Sequence, residues 1–109
     1  MIDIIFMKKH NCLVSFNIKG HAGFAEEGYD IVCSAVSALA YTFANGITEV
    51  IGIDADINIC DGFLNLNLEN QNCDNIEKCQ VLLKTMLYGI QNMKINYGDY
   101  IRVDIEEVQ

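Results

Sequence analysis

Between Ile31 and Thr48 the chain carries no charged residue. A helical run of that length touches the lower limit for crossing a bilayer. Ser34, Ser37, Thr42, Asn45, Gly46 and Thr48 lie within it, however, and a lipid-facing helix does not normally carry so many polar groups. Asp30 just before the run is a favoured N-cap residue, and the run reads as a helix over Ile31 to Val50. Val32, Val36, Leu39, Phe43, Ile47 and Val50 make its main apolar stripe, and Ala35, Ala38, Ala40, Tyr41 and Ala44 widen it. The pattern predicts a buried helix of a soluble protein. It is covered on more than one side, either by the rest of the fold or by a second subunit.

The segments around this helix read as strands and one further helix. Ile2 to Met7 is a strand, and in Leu13 to Ile18 apolar Val14, Phe16 and Ile18 alternate with Ser15 and Asn17. His10 and Asn11 fall in the turn between them. Gly20 to Tyr29 has three glycines and no period, which predicts a mobile loop. Asp56 to Cys60 and Phe63 to Glu69 alternate around Asp61-Gly62, a strong hairpin signal. A second helix is expected from Asp74, with Glu77 three residues on as a capping-box partner, to Asn96-Tyr97-Gly98. A last strand carries Ile101, Val103 and Ile105. The order ββαββαβ predicts an α+β fold, with a mixed, mainly antiparallel five-stranded sheet and two helices on one face. At 109 residues the chain makes one domain, 1–109.

Charge and cysteine usage limit the function. Seven Lys+Arg against fifteen Asp+Glu leave a net charge of -8, which argues against nucleic acid as a partner. Asp3 precedes the first apolar run and Lys8-Lys9 follow it, the reverse of a secretory leader. The odd count of five cysteines rules out full intrachain pairing and suits free thiols in a cytoplasmic protein. No zinc-ligand spacing and no C-x-x-C occurs, so no metal and no cofactor is expected.

Only two histidines are present. His10 reads as an exposed turn residue. His21 lies in the glycine-containing loop, shortly before Cys33. Counted from an Asp30 cap, Cys33 is the third helical residue. There the helix dipole and unpaired N–H groups favour the thiolate, and the same N–H groups are placed to bind an oxyanion. A thiolate nucleophile with a histidine to take up and return a proton is the equipment for acyl transfer. By spacing alone, Cys33 is better described as a small core hydrophobe.

The segment Gly20-His21-Ala22-Gly23, followed by Gly28-Tyr29-Asp30-Ile31-Val32-Cys33-Ser34-Ala35-Val36-Ser37-Ala38-Leu39, resembles the ribosomal-processing cysteine protease family (Prp, YsxB-like). Tyr29 and Ser34 depart from the commonest family residues. The resemblance implies a thiol protease with Cys33 as nucleophile and His21 as general base and acid. Asp30 is the supporting acid, either capping the helix or orienting the imidazole, and its place at the expected boundary favours capping. Gly20, Gly23, Phe24, Gly28 and Tyr29 would belong to a flexible active-site loop that closes over substrate. The family's substrate is large-subunit ribosomal protein twenty-seven, trimmed of an N-terminal extension after a Phe-Phe-type motif during ribosome assembly. A cytoplasmic homodimer is implied, with no membrane or nucleic-acid partner. Two other classes fit the composition: a non-catalytic acidic protein that binds a basic ribosomal protein, and a thiol redox protein. The redox reading is the weaker, because no resolving cysteine lies near Cys33 in sequence.

Overall fold

His10 and Asn11 both take positive φ, 51° and 65°. Two successive left-handed residues match the twist of a tight hairpin, and they join β1 (Ile2–Lys9) to β2 (Cys12–Lys19). The computed structural model describes residues 1–20 and 27–108, with 27–30 as backbone. In the hairpin register Ile4 faces Ile18 and Phe6 faces Phe16, with the two rings 6.0 Å apart and tilted by 41°. β3 (Asp56–Cys60) and β4 (Phe63–Asn67) form a second hairpin, whose inner strand pairs with β2. β5 (Ile101–Glu107) runs parallel to β1 on its other side, so the strand order is β3-β4-β2-β1-β5. The fold is α+β with a mixed, mainly antiparallel sheet, as expected.

Alternation gives the sheet one apolar face. Ile2, Ile4, Phe6, Phe16, Ile18, Leu64, Leu66 and Ile101 are buried on it. The opposite face is polar, and Asn17, Asn65 and Asn58 lie side by side there across three strands. The buried face packs against α1 (Glu27–Asn45) and α3 (Gln80–Tyr97) through Val32, Val36, Ala40 and Ala44 of α1 and Leu83, Met86 and Ile90 of α3. Leu39 lies against Gly89 and Leu82 against Gly46, so the two helices run antiparallel. A Cβ at Gly46 would come within 3.0 Å of Leu82 Cδ1. The missing side chain is what allows the close approach.

The helices correct two expectations. First, α1 begins at Glu27, so Asp30 is inside its first turn and is not the cap; Gly28 and Tyr29 are helical too, and not loop residues. Aspartate is favoured both at the cap and in the first turn, so its presence alone does not set the boundary. The α-helix also ends at Asn45 and passes into a π-helical turn, Gly46–Ile51, closed by Gly52 at φ 83°. Second, the expected second helix is divided into α2 (Cys73–Lys78) and α3, and its cap is Asn72, whose side chain accepts the Asn75 N–H at 2.8 Å. The break at Cys79 accompanies the demands of the next side chain. Gln80 Oε1 accepts from Leu13 N at 2.8 Å, and Gln80 Nε2 donates to Leu13 O at 2.8 Å and to Ile76 O at 3.0 Å. Leu13 stands beside an irregularity in the β1–β2 ladder at Met7/Lys8, so Gln80 supplies the bonds of a buried backbone. Within the single protomer, α1 is buried on its inner face. Ile31, Ala35, Ala38, Tyr41 and Thr42 are exposed.

Candidate active site

Cys33 is half-buried between Val32 and Val36, which belong to the core. It shares a helix face with Ser37, Ala40 and Tyr41, as spacings of four, seven and eight residues require. That face forms one wall of a cleft of about 190 Å³. Ile2, Ile18 and Gly20 form its floor and rim, and the β3–β4 hairpin, Cys60 to Leu64, closes the other side. The lining is largely apolar, with Ser37 and Asp61 as polar points.

The helix start changes the electrostatics expected of Cys33. The chain is already helical at Glu27, so Cys33 does not stand in the first turn of α1. The unpaired N–H groups of a helix start and the dipole effect are confined to about that turn. The oxyanion donors and thiolate stabilisation anticipated from an Asp30 cap therefore do not come from this helix terminus at Cys33.

Gly20 ties the end of β2 to the cleft. Its N–H donates to Gly62 O at 3.0 Å. Gly62 has φ +70°, and a Cβ there would stand 2.5 Å from Gly20 O. Both the conformation and the contact require glycine. Gly62→Ala is therefore expected to lower stability by about 1–3 kcal/mol. Urea denaturation monitored by circular dichroism checks this; an unchanged midpoint and slope would show that the hairpin relaxes freely. His21, Gly23 and Phe24, and with them most of the expected flexible loop, lie outside the described residues.

The other thiols separate by environment. Cys79 is fully buried, and that burial pushes its thiol up, holding it protonated. Cys12 is half-buried, while Cys73 and Cys60 are exposed. Cys60 lines the same cleft as Cys33, which its sequence position beside a turn did not indicate. Tyr41, Phe63 and Leu64 were also missed as cleft residues. For Tyr41 the helical spacing from Cys33 was an available signal; for the hairpin residues there was none, because their place depends on strand order.

A cleft with a half-buried thiol on a helix is shared by many unrelated folds, so comparison with known proteins decides the family. The sequence profile of the family described as cysteine protease Prp matches residues 1–102. This chain belongs to the Prp family. The ribosomal processing cysteine protease Prp of Bacillus subtilis (strain 168) is 29% identical over 107 residues, covering 94% of this chain and 96% of that protein. Its counterpart in Staphylococcus aureus (strain Mu50) is 32% identical over 85 residues, covering 78% and 79%. The S. aureus Prp structure with a substrate peptide superposes with TM-score 0.84 at 27% identity, over 96% of this chain and 99% of that one. The S. aureus structure with a covalently linked product peptide gives 0.80 at 29% identity, with the same coverage. The chain is accordingly a cysteine protease with the Prp fold, and its relatives are ribosomal processing enzymes.

Proposed function

We propose that residues 1–109 form one protease domain that removes the N-terminal extension of large-subunit ribosomal protein twenty-seven during ribosome assembly. Cys33 is the nucleophile and His21 the general base and acid. The observation that carries this reading is the position of Cys33 on the wall of an apolar cleft, in a chain similar to proteases that hold substrate and product peptides.

The chemistry follows from those two side chains. His21 takes the Cys33 proton, and the sulfur attacks the scissile carbonyl carbon. The imidazolium then gives the proton to the departing amine, leaving an S-acyl enzyme. Water, deprotonated by His21, attacks the acyl carbon and releases the thiolate. Asp30 supports this by orienting the imidazole, since a helix that begins at Glu27 leaves it no capping role. The largely apolar lining suits the aromatic residues of a Phe-Phe-type cleavage motif. The -8 charge attracts a basic ribosomal protein. The enzyme works in the cytoplasm as a homodimer.

A synthetic peptide spanning the extension tests the assignment. The parent cleaves it after the aromatic motif, while His21→Ala is slower by roughly 10²–10⁴-fold. The pH–rate profile of the parent has two limbs, and the variant loses the one contributed by the imidazole. Equal rates for the two proteins would remove His21 from the mechanism; an uncut peptide would reject this substrate.

A further inference from the structure

One large side chain of α1 stands on the wall of the cleft. From Cys33 that wall continues through Val36, Ser37 and Ala40 to Tyr41. Val36 and Ala40 are buried and Ser37 is short, so the first bulk met along the helix is the Tyr41 ring. The ring is 45% exposed and stands outside the core cluster. Among the described residues its hydroxyl has no hydrogen-bond partner. Neither core packing nor a polar bond among these residues accounts for an aromatic side chain at this place.

Helix geometry turns the position into a distance. Tyr41 is eight residues beyond Cys33 on α1. At 1.5 Å per residue the two are about 12 Å apart along the axis. An extended peptide advances about 3.4 Å per residue, so the same span takes three to four residues. A peptide lying along α1 with its scissile carbonyl at the Cys33 sulfur has its third or fourth residue at the ring.

We propose that Tyr41 is a specificity-determining residue of the protease, forming a subsite for an apolar side chain three to four residues before the scissile bond. The distance is counted from Cys33, so the inference rests on the nucleophile proposed above. The direction rests on the same reading, in which the aromatic motif precedes the cut.

The surroundings of the ring select an apolar side chain. No charged residue lies between Ile31 and Thr48. Among the described lining residues the only charged one is Asp61, on the opposite hairpin. Ile18 and Leu64 lie between the two walls. Ile59 is paired with Leu64 across the hairpin, on the same side of the sheet, and is 54% exposed. It prolongs the apolar surface beyond the cleft. An apolar side chain laid on this surface leaves water together with the area it covers, whereas a charged one loses hydration without gaining a partner. Binding energy gained this far from the reacting atoms serves to hold the scissile bond in place.

Cleavage of a peptide library made from a denatured protein digest tests the proposal, with the new ends identified by mass spectrometry. Products of the parent are expected to be enriched in apolar residues at the third or fourth position before the cut. Tyr41→Ala is expected to lose that enrichment and keep the aromatic preference nearer the cut, with an unchanged far-ultraviolet circular dichroism spectrum. Tyr41→Phe retains it, because the ring makes the subsite. In one peptide cut by the parent, replacing that apolar residue with Asp lowers kcat/KM about tenfold or more, against roughly threefold or less in Tyr41→Ala. Enrichment that survives Tyr41→Ala, or an equal loss on both peptides, overturns the subsite. Products that show this enrichment without an aromatic residue near the cut support the subsite and reject the substrate proposed above. A library that the parent leaves uncut overturns both. Cleavage that persists in Cys33→Ala removes the nucleophile, and the subsite with it.

Discussion

Cys33→Ala is expected to reduce peptide cleavage on the order of 10⁴-fold or more while leaving the fold intact. In the mechanism proposed above the Cys33 sulfur forms the acyl bond, and an alcohol does not replace a thiolate at neutral pH. Ser37, one helical turn away on the same wall, keeps an ordinary alcohol and is not a substitute. Removing a half-buried sulfur leaves a small space beside Val32 and Val36, costing about 1 kcal/mol or less, too little to unfold a domain. Timed cleavage of the extension peptide, followed by mass spectrometry, measures the loss. Cys60→Ala separates the two thiols of the cleft. If cleavage survives Cys33→Ala and disappears in Cys60→Ala, the nucleophile is Cys60 and the assignment is reversed.

Phe16→Ala carries the largest expected effect on stability, about 3–5 kcal/mol. Phe16 has no exposed surface, faces Phe6 across the first hairpin and Leu66 across the second strand pair, and belongs to the cluster on which α1 and α3 rest. Its removal therefore loses the transfer energy of a whole ring and leaves a cavity where three layers of contacts meet. Domains of this size are stable by roughly 5–15 kcal/mol, so much of the margin goes with one side chain. The expected result is a urea midpoint shifted strongly downward with an unchanged slope. A loss below about 1 kcal/mol would mean that the sheet and helices close over the gap.

Features governed by neighbouring residues were legible. The His10-Asn11 and Asp61-Gly62 turns, the five strands, with alternation in four of them, and the apolar stripes of the long helices were visible, because period and turn chemistry act over a few residues. The α1 boundary was misplaced for a local reason, since aspartate suits both the cap and the first turn. The division of the second helix at Cys79 had a remote cause. Gln80 bonds to Leu13, 67 residues away, and no window around Gln80 contains that demand.

The candidate site divides along the same line. A glycine-flanked histidine followed by Asp-Ile-Val-Cys was recognisable by its resemblance to the Prp family, and that resemblance pointed to His21 and Cys33. The facing wall was not, because nothing near Cys33 in the chain names the β3–β4 hairpin. That hairpin reaches the cleft only because β4 pairs with β2 and Gly62 accepts the Gly20 N–H.

The uncharged run from Ile31 to Thr48 shows both limits. By itself the sequence determined that this run forms an apolar helix in need of cover on more than one side, since periodicity and the absence of charge are local properties. Only the tertiary structure decided which side the protomer covers. The sheet and α3 bury the face bearing Val32, Val36 and Ala40, and the stripe from Ile31 to Asn45 stays bare. The reason is geometric: a two-layer fold has material on one side of its helices, and the other side meets whatever lies outside the chain.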